Sequence, residues 1–170
     1  MPSSASRTLR LQNYLPYRLS VAANAVSRLI ARAYERQFGL KIPQWRLIAV
    51  LASEGPLTQQ SLCGRTVMDK VTVMRAAQGL ARRGLVRRLP NPEDRRSHRL
   101  ALTRSGQRVY RQIVPLALEH EAYLLQGVDK RDVTRLDRLL RRLEASAQHE
   151  NAPRGVVASL NSFNIPHTRG

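Results

Sequence analysis

The chain has 170 residues, enough for one compact domain, and 42% of them are hydrophobic, which excludes a chain that is disordered throughout. The 29 lysine and arginine residues outnumber the 12 acidic residues and give a net charge of +17, which favours a polyanionic partner such as nucleic acid. The single cysteine excludes an internal disulfide, and no apolar run approaches the roughly 20 residues of a membrane helix. Without a secretory signal either, we expect a soluble cytoplasmic protein.

The N-terminal third of the chain predicts two helices after a flexible, serine-rich start at residues 1–10. The first helix extends from Leu11 to about Phe38, because its apolar residues recur at steps of three and four before Gly39. The second helix contains Pro43 in its first turn and ends at Gly55. The apolar stripe of the first helix comprises Leu19, Ala22, Val26, Leu29 and Ala33.

Two short helices joined by a brief turn are predicted next. Thr58 and Asp69 each start one of them, because their side-chain oxygens accept hydrogen bonds from free N–H groups at a helix N-terminus. The second of these helices ends at Gly84 and has an apolar face and a basic face. Its core face comprises Val73, Ala76, Ala77 and Leu80, and its outward face Lys70, Thr72, Arg75, Arg82 and Arg83.

A basic β-hairpin, or wing, is predicted after the fourth helix. The runs LVRRL and HRLAL mix apolar and basic residues, and PNPEDRRS between them has the composition of a turn. From residue 65 to 104, eleven basic residues stand against three acidic ones, a net charge of +8. Nearly half of the net charge therefore lies in under a quarter of the chain, as a docking surface for nucleic acid requires.

Two further helices complete the predicted element order. Thr103 predicts the start of one, in which the internal Pro115 is expected to cause a kink or a break. The last helix again has apolar residues at steps of three and four, and residues 151–170 lack any pattern, which predicts a mobile tail. The apolar stripe of the last helix comprises Val133, Leu136, Leu140, Leu143 and Ala147.

The short helices and the basic hairpin are the parts of a winged helix-turn-helix. A helix fits the major groove of B-DNA, and residues near the N-terminus of the recognition helix contact base edges. The start of the preceding helix offers N–H groups that hold phosphate. These rules predict major-groove contacts by Asp69, Lys70, Val71, Thr72 and Arg75, and phosphate contacts by Gln59, Gln60 and Ser61.

The turn of the hairpin predicts a third set of DNA contacts. Arg95, Arg96 and Arg99 are cationic forks on a thin hairpin, suited to a phosphate or to a narrow minor groove. Asp94 is the acidic residue among them, and because a carboxylate repels phosphate, we expect it to hold Arg96 in place. His98 is expected to contact phosphate or solvent.

Residues 57–106 resemble the MarR family of bacterial regulators. The resemblance rests on LTQQSLCGRT, on MDKVTVMRAAQGLARRGLVRR and on NPEDRRSHRLALTRSG, which fits the family's wing pattern at Asp94, Arg96, Leu100, Leu102, Thr103 and Gly106. It extends more loosely over residues 11–148. The resemblance implies a homodimer on a pseudo-palindromic DNA site and a repressor that responds to a small aromatic or phenolic effector.

The fold class that follows is mainly α with a small β-hairpin wing, a winged helix-turn-helix flanked by dimerisation helices. We predict a DNA-binding region at residues 40–105 and a helical dimerisation region at residues 11–38 and 106–150. The stripes of the first and last helices fit the same scheme, although such a stripe also occurs in an ordinary core. Two-fold symmetry would then match recognition helices to one turn of DNA, about 34 Å.

Four residues of the first two helices are candidates for the effector pocket. The rings of Tyr14, Tyr17 and Trp45 and the guanidinium of Arg18 suit an aromatic carboxylate. The alternative is that these aromatic side chains pack in the core. Cys63 is expected to be a small core residue, with redox sensing as the alternative.

Other function classes find less support in the sequence. The histidines lack metal-ligand spacing, and there is no phosphate-binding glycine loop, nucleophile elbow or carboxylate pair, so we predict neither a cofactor nor an enzyme. The main alternative is a non-specific architectural nucleic-acid-binding protein, which would share the charge but would not need the patterned recognition helix.

Overall fold

The structure is a computed structural model that describes residues 9–148, so the predicted tail and most of the predicted flexible N-terminus lie outside the described residues. The described part contains six α-helices and three β-strands, which confirms the mainly helical fold class. In chain order they are a short 3-10 helix (Leu11–Asn13), α1 (Leu15–Phe38), α2 (Ile42–Glu54), β1 (Leu57–Thr58), α3 (Gln59–Thr66), α4 (Lys70–Arg82), β2 (Val86–Pro90), β3 (His98–Leu102), α5 (Arg104–Leu124) and α6 (Lys130–Gln148).

Several helices begin or end at predicted capping residues, although α4 ends at Arg82 rather than at the predicted Gly84. Thr58 Oγ1 accepts a hydrogen bond from the backbone N–H of Ser61 at 3.1 Å, and Thr103 Oγ1 accepts one from Gly106 at 3.1 Å. At the end of α1, Gly39 has φ 59°, a left-handed conformation that glycine adopts without a steric cost. The local chemistry of these side chains therefore fixes the helix bounds.

The sheet has three strands, one more than the hairpin predicted. β2 pairs with β3 antiparallel, with Arg88 opposite Leu100, and β1 pairs with the other edge of β3 through Leu57 and Thr58. A strand of two residues has no periodicity, so no sequence pattern predicts β1. This strand ties the start of α3 to the base of the wing.

The hydrophobic core lies between α2, α3, α4 and the sheet, and Tyr34 of α1 and Ile113 of α5 are also buried in it. The predicted inner face of α4 is confirmed, with Val73 and Leu80 fully buried and Ala76 and Ala77 at most 5% exposed. Gly106 lies against the backbone at the start of β2, where a Cβ atom on this glycine would come within 2.1 Å of the carbonyl oxygen of Leu85. The base of the wing and the start of α5 thus meet backbone to backbone.

Arg83 is exposed, as expected, and its guanidinium also donates hydrogen bonds to the carbonyl oxygens of Phe38 at 2.6 Å and Gly39 at 2.8 Å. It thereby binds free carbonyl groups at the end of α1. Pro115 does not break α5, which continues across it. The proline removes one hydrogen bond, to Arg111, and both residues are exposed, so water can replace it.

The chain divides into two compact units, the first ending at Glu121 and the second beginning at Ala122. The apolar stripe of α6 in the second unit is open, with Leu136 48% exposed and Leu143 43% exposed. In the first unit, Ala22 and Val26 of the α1 stripe are exposed as well. Within residues 9–148, none of the helices has the length and apolar character to span a membrane.

Candidate nucleic-acid interface

The turn between α3 and α4 sets the start of the recognition helix. Val67 ends α3 with φ 52°, a left-handed conformation that is strained for a β-branched residue, and its side chain is 87% exposed. Asp69 then caps α4, because its Oδ1 accepts a hydrogen bond from the backbone N–H of Thr72 at 2.8 Å. The second carboxylate oxygen accepts from the Thr72 hydroxyl at 2.6 Å. These hydrogen bonds, led by the one from the hydroxyl, lower the pKa of Asp69 below its ordinary value of 3.8.

The N-terminal half of α4 presents three of the predicted major-groove residues to solvent. Lys70, Val71 and Arg75 are exposed. Thr72, which was expected on the outward face, is half-buried, and its hydroxyl proton is donated to Asp69. Lys70 and Arg75 therefore provide the free donors of this face, while Asp69 and Thr72 hold the end of the helix in shape.

The wing is built by hydrogen bonds across its own turn. Asp94 contacts Arg96 through the backbone, with Oδ1 accepting from the Arg96 N–H at 2.9 Å, and the Arg96 side chain is exposed. Arg99 is held within the wing, because its Nε donates to Asn91 Oδ1 at 3.0 Å and its guanidinium pairs with Glu93 at 2.9 Å. The structure thus leaves Arg96 available and engages Arg99.

A cavity of about 500 Å³, which we call the wing groove, lies between the start of α3, the start of α4 and the wing. It brings together five residues predicted for three different DNA contacts: Gln59 and Gln60 for phosphate, Lys70 for the major groove, and Asp94 and Arg96 for the wing. The complete lining is Thr58, Gln59, Gln60, Lys70, Arg88, Asn91, Asp94, Arg96, Ser97, His98 and Leu100.

Other predicted residues lie beside the wing groove. Ser61 is engaged with Thr58, the two hydroxyl oxygens being 3.0 Å apart. Asp69 lines a neighbouring cavity between α3 and α4, together with Lys70. Arg95 lines a third cavity along the wing.

Arg88 and Asn91 also line the wing groove, although neither was predicted from the sequence to contact DNA. Strand alternation could have identified Arg88, because it pairs with the inward-facing Leu100 and shares its face of the sheet. Asn91 is buried; its amide nitrogen donates to Ser97 Oγ at 2.7 Å, and its oxygen accepts from Arg99. No local pattern predicts such a link across eight residues.

The four effector candidates do not share one environment. Trp45 packs in the core of the first unit, with its ring 5.2 Å from that of Tyr34 in an edge-on arrangement and 6.1 Å from that of Tyr110 in a stack. Burial raises the pKa of Tyr34. Tyr14, Tyr17 and Arg18 are exposed near the start of α1. The core-packing alternative therefore holds for Trp45.

The position of Cys63 agrees with its predicted role in packing. Cys63 is a free, half-buried thiol that packs against the hydrophobic core, as expected for a small core residue. Among residues 9–148, the structure has no cluster of three or more histidine, cysteine or acidic side chains that could hold a metal ion.

Comparison with known proteins places these features in a family context. The model of the MarR family matches residues 38–97. The uncharacterized HTH-type transcriptional regulator YwoH of Bacillus subtilis is 30% identical over 132 residues, which cover 76% of this chain and 96% of that protein. The HTH-type transcriptional repressor NicR of Pseudomonas putida is 29% identical over 102 residues, 54% of this chain and 65% of that protein.

The fold is also similar to that of a solved MarR-family structure. The crystal structure of a MarR/EmrR family transcriptional regulator from Acinetobacter sp. ADP1 superposes with a TM-score of 0.75 at 25% identity, covering 82% of this chain and 98% of that one. These similar proteins are described as transcriptional regulators, which favours DNA binding over catalysis.

Proposed function

The chain belongs to the MarR family of DNA-binding transcriptional regulators, and from this premise we propose that it binds a pseudo-palindromic operator as a homodimer and represses transcription. The observation that carries the proposal is the wing groove, in which residues from α3, α4 and the wing face one concavity. Its basic side chains, Lys70, Arg88 and Arg96, can engage a single segment of duplex DNA.

Each part of this surface has a separate task in the proposal. Lys70 and Arg75 donate to guanine O6 and N7 in the major groove, because they are exposed on the first two turns of α4. Arg96 enters the minor groove or binds phosphate, from a turn that Asp94 holds through the backbone. We assign Arg99 to bracing the wing, since its guanidinium already binds Asn91 and Glu93.

The homodimer is supported by the open apolar stripes of α1 and α6. Leu140 and Leu143 of α6 are 38% and 43% exposed, and Val26 of α1 is 37% exposed. Contiguous apolar surface of this kind marks an interaction site, and a second copy of the chain offers the same stripes by symmetry. A dimer would also set two recognition helices about 34 Å apart, one turn of DNA.

Repression is supported by the relative NicR, which is a transcriptional repressor. A response to a small aromatic or phenolic effector is the finer part of the proposal. It rests on the exposed rings of Tyr14 and Tyr17 and the exposed guanidinium of Arg18, which suit an aromatic carboxylate. An effector that binds one state of the dimer better would lower DNA affinity, and DNA would lower effector affinity by the same factor.

The test is a binding selection from random duplexes, followed by affinity measurements at about 0.15 M salt. Arg96→Ala should weaken binding to the selected site by about 1–3 kcal/mol and reduce the salt dependence by about one phosphate contact. Lys70→Ala should relax the preference at one base pair. The matched control is Arg138→Ala, which removes an exposed arginine of α6 and should leave affinity unchanged.

Equal affinity of the wild-type chain for selected and random duplexes would contradict the proposal. It would favour a non-specific architectural protein, whose binding follows charge alone. Equal loss of affinity in Arg96→Ala and Arg138→Ala would likewise remove the wing groove as the DNA site.

A further inference from the structure

Another cavity, which we call the reverse groove, lies between strand β2 and the N-terminal half of α5 and has a volume of about 650 Å³. Four arginines line it: Arg87, Arg104, Arg108 and Arg111. Successive residues of a strand point to opposite faces, so Arg87 lies on the other face of β2 from Arg88 in the wing groove. The reverse groove is therefore separate from the surface proposed to bind DNA.

The three arginines of α5 follow helical spacing. Arg104, Arg108 and Arg111 stand at steps of four and three, which places them on one face of the helix. Like charges at this spacing repel one another, and the N-terminus of a helix favours negative rather than positive charge. The first turn of α5 contains no acidic residue to offset this. In the absence of an anion, the arrangement is electrostatically unfavourable.

No carboxylate within the described residues neutralises the reverse groove. The ion pairs of residues 9–148 join Glu54 with Arg65, Glu93 with Arg99, and Asp137 with Arg141, and none involves the four arginines of the reverse groove. Arg108 donates to the uncharged Ser105 Oγ at 2.9 Å. The guanidinium groups thus keep donors for a ligand.

We propose that the reverse groove binds a compact polyanion that carries two or more phosphate or carboxylate groups. The planar guanidinium donates two parallel hydrogen bonds to either group, and four such forks around one concavity suit several negative charges. The volume lies within the range of small-molecule sites. Binding would relieve the repulsion between the arginines, so the ligand should stabilise the folded chain.

Isothermal titration with tripolyphosphate, and with citrate as a carboxylate probe, tests the site at about 0.15 M salt. The Arg104→Ala/Arg108→Ala variant should lose affinity for the bound probe by about tenfold or more, and its melting temperature should no longer rise with the probe. The Arg131→Ala/Arg135→Ala variant is the matched control, because it removes two arginines of the same spacing from α6. It should keep wild-type affinity.

A second control separates the two grooves. Arg88→Ala/Arg96→Ala changes the wing groove and should bind the probe as the wild type does. The proposal would be overturned if the wild type did not bind the probe, or if only the wing-groove variant lost affinity for it. Equal loss of affinity in the α5, α6 and wing-groove variants would also overturn it. Arg87→Gln, which alters the groove from the strand side, provides the same measurement if the α5 variant does not fold. None of these measurements involves DNA, so their failure would leave the proposed regulator function intact.

Discussion

The recognition helix α4 and the last helix α6 have apolar stripes of similar spacing but different surroundings. In α4, Val73 and Leu80 are fully buried, whereas in α6, Leu136 and Leu140 are 48% and 38% exposed. Periodicity therefore identifies the residues of one helix face but does not identify what covers that face. The apolar stripe of α4 is covered by other elements of the same chain. We propose that the stripe of α6 is covered by a second copy of the chain.

The largest expected effect comes from a charge in the α6 stripe. In a two-fold dimer, Leu140→Asp places two carboxylates in an apolar interface, and their desolvation would cost about 3–6 kcal/mol and raise the dimer dissociation constant about 10²–10⁴-fold. Analytical ultracentrifugation over a concentration series measures this constant. The matched control is Thr134→Asp, which adds the same charge on the opposite face of α6. Equal dimer dissociation constants for Leu140→Asp and the wild type would refute the proposal that the stripe of α6 lies in a dimer interface.

A medium effect is expected where the wing meets α5. Gly106→Ala places a Cβ atom within 2.1 Å of the Leu85 carbonyl oxygen, so either the strand or the helix must move. Overpacking of this kind costs about 1–3 kcal/mol of unfolding free energy, which urea denaturation measures. Such a loss would show that the first unit depends on close backbone packing.

The control for that substitution is Gly64→Ala within α3. This glycine has no neighbouring atom within 4 Å of a built Cβ, and alanine is the better helix former. We expect an increase in stability of about 0.5–1 kcal/mol. Similar losses for both glycines would mean that the contact with Leu85 is not the cause.

The smallest effect concerns the cap of α4 and its dependence on pH. Because hydrogen bonds from Thr72 lower the pKa of Asp69 in the folded chain, its carboxylate stabilises the fold above the ordinary pKa of 3.8. This contribution is lost as the pH falls through the lowered value. Asp69→Ala should therefore destabilise the chain at pH 7 and progressively less in acid, as measured by urea denaturation across a pH series.

Thr58→Ala provides the uncharged counterpart at the start of α3. Its hydroxyl caps the helix without titrating, so the loss of stability on substitution should not depend on pH. If the two variants had the same pH dependence, the carboxylate of Asp69 would not be the titrating group.

The parts of the fold that follow local rules were predictable from the sequence. Thr58, Asp69 and Thr103 cap helices through partners three residues away, and the buried face of α4 follows the helical period. Partners far apart in sequence were not predictable. Arg83 binds carbonyl groups 44 and 45 residues away, and no local pattern specifies which of several arginines does so.

The candidate site shows the same division. Its residue types and the three regions they come from were evident from the sequence, as was the exposed position of Lys70 on α4. The engagement of Arg99 with Asn91 and Glu93 was not evident, because Arg95, Arg96 and Arg99 have the same chemistry in one short segment. Only the folded turn separates the arginine that braces the wing from those that remain available.

The hydrogen bonds of Arg83 join the C-terminal end of α4 to the last carbonyl groups of α1, while Lys70 lies exposed at the other end, 13 residues away. At 1.5 Å per residue this distance is about 20 Å, so a tilt of α4 by about 10° around Arg83 would move Lys70 by about 3 Å. That displacement is about as long as a hydrogen bond. In the proposed complex, a small change in the angle between α1 and α4 would therefore break the contact between Lys70 and a base edge.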